Sequence, residues 1–387
     1  MTVVPPETAR LDPTRRPRVL VLFGGRSSEH AVSCITAAGV LDAIDRDKYE
    51  IIPVGIAKNG QWVQVSGDPS QWSLRSATLP EVPTSDESLV LAASGAGQNL
   101  ASTELMVTAA EQMPRSLGGI DVVVPLLHGP FGEDGTLQGL LEMADIRYVG
   151  AGVLASAVGM DKHYMKVVFA AAGLTVGPYE VITDRQWAND RDGCLGRAAA
   201  LGFPSFVKPA RAGSSMGITR VASESDLAAA IEAAREFDPK VLVEAGIIGR
   251  EIEVAVLQGR GTNEPRTSLP GEIAVQPGEH DWYDFEAKYV DGAAAELSCP
   301  ADLPPAASEQ VRALAAAAFD AVGAEGLSRV DFFYTPSGAL IINEINTMPG
   351  FTPISMYPQM WAKSGLTYTE LIDELIELAL SRKTGLR

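Results

Sequence analysis

Ser328–Gly350 reads SRVDFFYTPSGALIINEINTMPG, two apolar runs joined by a Thr-Pro-Ser-Gly turn, and this pattern predicts a β-hairpin. Arg329, Asp331, Glu344 and Asn346 interrupt the apolar runs. Charge in such surroundings is costly unless it is paired or binds an ion. An even-numbered hairpin loop sets Arg329 opposite Glu344 and Asp331 opposite Ile342. Because side chains alternate along strands, Arg329, Asp331, Glu344 and Asn346 then share one face. Two carboxylates, an amide oxygen and a guanidinium on one surface suit a Mg²⁺–phosphate site. A structural Arg–Glu pair with an Asp beside it is the plainer alternative, and spacing leaves both open. An odd loop needs a compensating bulge to keep Glu344 on the side of Asp331.

The chain around this hairpin has 387 residues, enough for two or three domains with sizeable cores. It is 46% hydrophobic and 21% charged with a net charge of −18, which argues against general binding to nucleic acid or anionic membranes. A phosphate ligand must therefore be held by local positive charge and backbone N–H groups. Cys34, Cys194 and Cys299 stand apart without C-x-x-C spacing, so they offer neither a zinc site nor a disulfide framework and fit a reducing cytosol. Residues 1–17 hold Pro5, Pro6, Pro13 and Pro17 but no apolar core of a secretory signal, and read as a disordered tail. No apolar run reaches the length of a membrane span. The expectation is a soluble cytoplasmic protein.

Upstream, RVLVLFGG (Arg18–Gly25) predicts a buried strand, Ser33–Ile44 a helix and Tyr49–Ile56 a second strand, a βαβ unit that implies a parallel sheet. Residues 66–119 read as a Ser/Gly/Pro-rich insertion with irregular connections. Ile120–Leu127 is a further strand, leading into HGPFGEDGT and the helix Leu137–Met143. A second unit, 151–247, alternates helices Lys162–Ala172, Arg191–Leu201 and Glu224–Glu236 with strands Tyr179–Ile182, Ser205–Lys208, Ile218–Val221 and Val241–Glu244. A third, 248–387, holds the alternating GREIEVAVLQ strand, helix Ser308–Val322, the hairpin and a helix near 367–382. The fold class is α/β, with the first unit at 18–150.

Chemistry-bearing residues cluster at the ends of these strands. No Lys follows a Gly, so a Walker A loop is excluded, and GGRSSEH lacks the dinucleotide fingerprint. Lys208–Gly217, KPARAGSSMG, is the remaining phosphate loop, able to fold its backbone N–H groups over phosphates or to serve as a plain turn. HGPFGEDGTLQG (His128–Gly139) follows a buried strand, where ligand-binding turns of α/β sheets lie. Glu29, after Gly24-Gly25, suits the ammonium of a small substrate or the entry of a helix. HDWYDFEAKYVDG (His280–Gly292), with Lys288, is a candidate lid. Glu244 and Glu251 flank a hinge-like AGIIGR.

In this order the segments GGRSSEHAVS, LHGPFGEDGTLQGLLE, MDKHYMK, VKPARAGSSMG, YDFEAKY, RVDFF and INEINTMPGFT resemble the D-alanine–D-alanine ligases of the ATP-grasp superfamily, from about Val19 to about Leu380. The resemblance implies a three-domain ATP-grasp architecture with an N-terminal Rossmann-like sheet. Lys162 and Lys208 would neutralise ATP phosphates under the loop Gly213, Ser214, Ser215, Met216 and Gly217. Glu244, the backbone of Ala245 and Ile247, and Glu251 would hold the nucleoside. Asp331, Glu344 and Asn346 would bind two Mg²⁺ (or Mn²⁺) ions, and Lys288 would approach the γ-phosphate.

By the same resemblance a first D-alanine is phosphorylated by ATP, and a second attacks the D-alanyl phosphate through a tetrahedral intermediate facing Arg329 and the Gly350 N–H. Glu29 would anchor the first amino group in a set with Ser214 and Tyr289. His128 would lie near the first D-alanine and Ser355 near the carboxylate of the second. Ala31, Met348 and Ala245 depart from residues common in the family without removing a reacting group. Tyr289 favours an amine as second nucleophile over D-lactate. A ligase using D-lactate or D-serine, and a non-catalytic nucleotide- or amino-acid-binding regulator, are the rival readings. A homodimer is expected from the family alone.

Overall fold

The computed structural model describes residues 15–73, 79–92, 103–110, 112–275 and 295–383. Its first sheet is built on β1 (Arg18–Gly24), whose Val19–Phe23 run is fully buried because neighbours cover both faces. β2 (Glu50–Ile56) pairs with β1 in parallel, and β3 (Trp62–Gln64) adds an antiparallel edge. β4 (Glu87–Ala92), β5 (Glu104–Ala109) and β6 (Arg115–Gly119) form a separate three-stranded sheet. The 66–119 insertion is therefore not merely irregular; its strands are short and half-exposed, which blurs their alternation. β7 (Val122–Pro125) and β8 (Arg147–Tyr148) complete the order β3-β2-β1-β7-β8. The chain leaves β1 to one side for β2 and returns to the other for β7, so a topological switch point lies between β1 and β7. Ligand crevices of open α/β sheets form outside the carboxyl ends of such strands. The Glu29 turn follows β1 and the His128 loop follows β7, at that end.

Residues 15–17, read from the sequence as the end of a disordered tail, are bonded to the first sheet. Arg15 makes two hydrogen bonds of 2.6 and 2.7 Å to buried Asp121, and Pro17 O accepts from Glu50 N–H at 2.9 Å. Residues 1–14 lie outside the described part.

β9 (Tyr179–Ile182), β10 (Ser205–Pro209), β11 (Thr219–Val221) and β12 (Val241–Ala245) form an antiparallel sheet in the order β11-β10-β12-β9. Its core includes Trp187, Leu227, Ile231 and Val243, all from its own strands and covering helices. A helix not read from the sequence, Val153–Met160, precedes helix Lys162–Ala171. Asp161 between them caps the second, accepting from His163 and Tyr164 N–H.

The third sheet runs β16-β15-β13-β17-β18, with β14 (Arg266–Thr267) on β13 (Arg250–Leu257) and β15 (Gly271–Val275) beside β16 (Ala295–Ser298). β17 (Leu327–Tyr334) and β18 (Leu340–Asn346) are the predicted hairpin. Its register differs from the even-loop expectation. Tyr334 pairs with Leu340, leaving a five-residue loop, and a bulge between Asp331 and Phe332 takes up the extra residue. Arg329 then faces Asn346 and Asp331 faces Glu344, so the four polar residues still share a face. On the opposite face Val330, Phe332, Ile342 and Ile345 enter a core with helix Pro305–Ala321. The apolar stripe of that helix (Val311, Ala315, Ala318, Phe319) packs on the sheet. Helix Tyr368–Ser381 and Phe351 instead share one core with β1, helix His30–Ala43, Ala255 and Leu257, joining the third sheet to the first.

Phe332 is 2% exposed beneath the bulge, so Phe332→Ala should cost about 3–5 kcal/mol through the cavity it leaves. Urea unfolding that loses less than about 1 kcal/mol would show that this ring does not pack as described.

Candidate active site

The carboxyl ends of β1 and β7, the 211–217 loop and the polar face of the hairpin open onto one cavity of ≈ 870 Å³. Glu29 lies in its wall, 5% exposed, at the start of helix His30–Ala43, yet its side chain makes no capping bond there. Glu29 thus stands at the helix entry with its carboxylate not spent on a cap. Instead the Ser214 hydroxyl donates to Glu29 Oε1, which brings together two members of the predicted set. Tyr289, the third, and Lys288 and the lid segment lie outside the described residues. Backbone crowds Glu29 from two sides. A Cβ on Gly213 would come within 2.7 Å of Glu29 Oε2, and one on Gly129 (φ +72°) would collide with it. The glycines of both loops thus permit this close approach to the carboxylate. Ser214 and Ser215 adopt left-handed φ of 45° and 58°, a conformation non-glycine residues hold only where the surroundings enforce it.

His128 is buried, with Nδ1 3.2 Å from Met348 O and Nε2 3.2 Å from Thr36 Oγ1. A carbonyl only accepts, so Nδ1 carries the hydrogen and Nε2 accepts from Thr36. Burial lowers the imidazole pKa despite the nearby Glu29 charge, which agrees with a neutral ring. Glu133, which the motif reading left without a role, accepts from Gly129 N–H at 2.6 Å and from Met348 N–H at 3.2 Å. Burial, then the charge of Glu29, pushes its carboxyl up to about 8. Gly350 and Ser355 lie side by side in the cavity wall, since a Cβ on Gly350 would be 3.2 Å from Ser355 Oγ.

On the hairpin face Arg329 does not pair with Glu344. Its Nε and Nη2 donate to Asp331 at 2.7 and 2.6 Å, and Nε lies 3.0 Å from Glu253. Glu253, on β13, is opposite Asp331; with Glu344 it makes a row of three carboxylates across β13, β17 and β18. The burial of the guanidinium opposes its charge, but Asp331 and Glu253 outweigh that and hold its pKa well above the ordinary value. Asn346 turns its amide N–H to Asp331 at 3.0 Å, which directs its oxygen elsewhere. Two carboxylates and one amide oxygen are a hard-oxygen set suited to Mg²⁺. Among the described residues no group of three or more His, Cys, Asp or Glu could hold an ion by itself.

Three lysines gather around Glu244 and Glu344. Lys208 donates to Glu244 at 2.6 Å, and Lys166, the last residue of MDKHYMK and given no role by the motif reading, lies 3.1 Å from the same carboxylate. Lys162 donates to Ala212 O at 2.8 Å and lies 3.9 Å from Glu344. Burial lowers the Lys162 pKa; for Lys208 burial acts the same way, but Glu244 prevails and raises it. Glu244, expected to hold a nucleoside, thus has its carboxylate engaged by ammonium groups. The Ala245 N–H donates to Pro178 O at 3.0 Å. Glu251 pairs across β13 with Ile273 and Phe333. Lys208, Met216, Gly217, Glu244, Ala245, Ile247, Glu251 and Asp331 are not in the cavity wall, whereas Lys162, Gly213, Ser214, Ser215, Glu344 and Asn346 are.

Comparison with known proteins agrees with this geometry. Residues 18–151 match the family model described as D-ala D-ala ligase N-terminus, and residues 168–377 match D-ala D-ala ligase C-terminus. The chain belongs to the D-alanine–D-alanine ligase family. A D-alanine–D-alanine ligase of Arthrobacter sp. (strain FB24) is 71% identical over 96% of both chains. One from Streptomyces coelicolor is 52% identical over 99% of this chain and 98% of its own. The VanG D-Ala:D-Ser ligase from Enterococcus faecalis superposes with a TM-score of 0.78 at 34% identity, covering 94% of this chain and 100% of that one. The D-alanine–D-alanine ligase from Coxiella burnetii gives 0.76 at 34% identity, covering 95% of each chain. The fold is ATP-grasp, and membership in this ligase family implies the use of ATP.

Lys208 and Lys166 draw the Glu244 carboxyl from its ordinary 4.5 to about 2 against the opposing effect of burial. A depressed folded pKa means that its contribution is complete above about pH 4.5 and is lost as pH falls through about 2. Glu244→Gln should therefore lower stability by about 3 kcal/mol near neutrality, with the gap from the native enzyme closing toward pH 2. Thermal melts of both proteins from acid to neutral pH test this, and a gap that stays constant with pH would refute the ion pairing.

Proposed function

We propose that this chain joins two D-alanines into D-alanyl-D-alanine, with ATP converted to ADP and phosphate, in the cytoplasm for peptidoglycan precursor synthesis. The observation that carries the reading is the single cavity holding Glu29 with Ser214, Arg329 with Gly350, and the Glu344–Asn346 oxygens. Identity of 71% to a relative named for this reaction supports it. The rival D-serine ligase is represented at 34% identity, and a non-catalytic regulator has no need of the whole set.

Glu29 anchors the ammonium of the first D-alanine, leaving its carboxylate to attack the γ-phosphorus as ADP departs. Lys162 and Lys208, with Lys288 from the lid, counter the repulsion between these anions. Glu244, Glu251 and the backbone at Ala245 and Ile247 flank the nucleoside. Asp331, Glu344 and Asn346 would hold two Mg²⁺ or Mn²⁺ ions, which when bound neutralise phosphate charge. The second D-alanine, its carboxylate near Ser355, presents a free amine to the D-alanyl phosphate carbonyl. The oxyanion that forms faces Arg329 and the Gly350 N–H, and phosphate leaves as the carbonyl is restored. Water must be kept from the acyl phosphate, the task assigned to the loop over 280–292.

The division into units at 18–150, 151–247 and 248–387 belongs to the same reading and is supported by the separate sheets. A homodimer is supported by Leu140, Met143 and Leu154, apolar and exposed on two neighbouring helices, and sedimentation velocity measures it.

Purified enzyme should release ADP only when ATP and D-alanine are both present, with D-alanyl-D-alanine as the product by mass spectrometry. D-Alanyl-D-lactate dominating at neutral pH would overturn the assignment of the second substrate. Glu344→Ala should reduce turnover by about 100-fold or more, and near-native activity would remove the metal assignment.

A further inference from the structure

We propose that Glu133 is a positioning residue for the second half of this reaction: with His128 it clamps both backbone groups of Met348 and thereby sets the direction of the Gly350 N–H. The inference rests on the reading of Gly350 as an oxyanion donor. The Met348 N–H donates to Glu133 Oε1 at 3.2 Å, and Met348 O accepts from His128 Nδ1 at 3.2 Å. Both clamping side chains come from the loop after β7, which is itself closed by Gly129 N–H to Glu133 Oε2 at 2.6 Å and Glu133 N–H to Gly129 O at 2.9 Å. That loop also presents Gly129 to Glu29. One rigid turn therefore touches the residue assigned to the first substrate and the backbone leading to the oxyanion.

Little slack separates the clamp from Gly350. Pro349 alone intervenes, and its ring fixes φ. On the far side Phe351 is buried, and its carbonyl accepts from the Tyr368 hydroxyl at 2.6 Å. Between these anchors the Gly350 amide has few torsions left. Removing Glu133 frees the Met348 N–H and lets the 347–350 segment turn; it also opens the Gly129 N–H bond beside Glu29, while the lysines keep their own partners. Acyl phosphate should still form, but its attack by the second amine should lose oxyanion stabilisation, and water should intercept more of it.

The test is the ratio of dipeptide formed to ADP released, measured on the full-length enzyme with Mg²⁺, ATP and D-alanine. The native enzyme should give one dipeptide per ADP. Glu133→Ala should lower that ratio about twofold or more, with the KM for ATP within about twofold of native, because a misplaced donor slows acyl transfer without touching the nucleotide. A one-to-one ratio in Glu133→Ala, at any overall rate, would overturn the proposal. If that variant fails to fold, Glu133→Gln is read by the same ratio, since its single carbonyl oxygen can satisfy only one of the two N–H groups. Absence of dipeptide from the native enzyme would instead sink the underlying ligase reading, which separates the two failures.

Discussion

Arg329 is a guanidinium within a sheet, and its pairing with Asp331 and Glu253 is the constraint on which the site depends. Three carboxylates in register across β13, β17 and β18 would repel one another on a partly buried surface. One cation lodged between two of them makes the row tolerable. The same arrangement keeps Arg329 from swinging away and leaves Glu344 outside the pair, on the cavity side. Asn346 adds its N–H to Asp331, so the outward amide oxygen is fixed by the neutralisation of its neighbour. An arrangement required for burying charge thus presents carboxylate and amide oxygens and a guanidinium together.

A comparable balance governs the lysine cluster. Lys162, Lys166 and Lys208 would destabilise one another without an anion among them. Glu244 takes that place, accepting from Lys208 at 2.6 Å and lying 3.1 Å from Lys166. Any anion that displaced this one carboxylate would meet a cluster already assembled. The side-chain entropy of ordering those lysines has been met by folding. Against a net charge of −18, this local inversion of sign makes an anionic substrate acceptable.

Much of this was legible in the sequence because strand periodicity fixes faces more firmly than it fixes partners. The shared face of Arg329, Asp331, Glu344 and Asn346 held even though the five-residue loop shifted the pairing, since the bulge at Asp331/Phe332 restored the parity. Nothing in an apolar run announces a bulge, so the partner of Arg329 was misassigned. Glu253 could have been found: it lies two residues from Glu251 in an alternating strand and so shares its face. Glu133 was harder, because a Glu in a Gly-rich turn carries no periodic signal and its partner Met348 lies 215 positions away. The β4–β6 sheet escaped for another reason. Its strands bury few side chains, and the pattern that marks a strand is a record of burial.

The first and third sheets share one hydrophobic core, whereas that of β9–β12 draws only on its own strands and helices. Glu29, on the first, and Gly350, beside the third, are therefore spaced by a common packed interior. The Gly/Ser loop reaches that pair from outside, meeting Glu29 through Ser214. The β9–β12 unit is tied to helix Lys162–Ala171 by Lys162 N–H to Ala210 O at 2.9 Å, Lys162 Nζ to Ala212 O at 2.8 Å and the Lys166–Glu244 pair, so its links to the rest are polar, whereas Glu29 and Gly350 are spaced by packing. The Gly/Ser loop is thus hung on polar bonds like a door, while Glu29 and Gly350 belong to the frame.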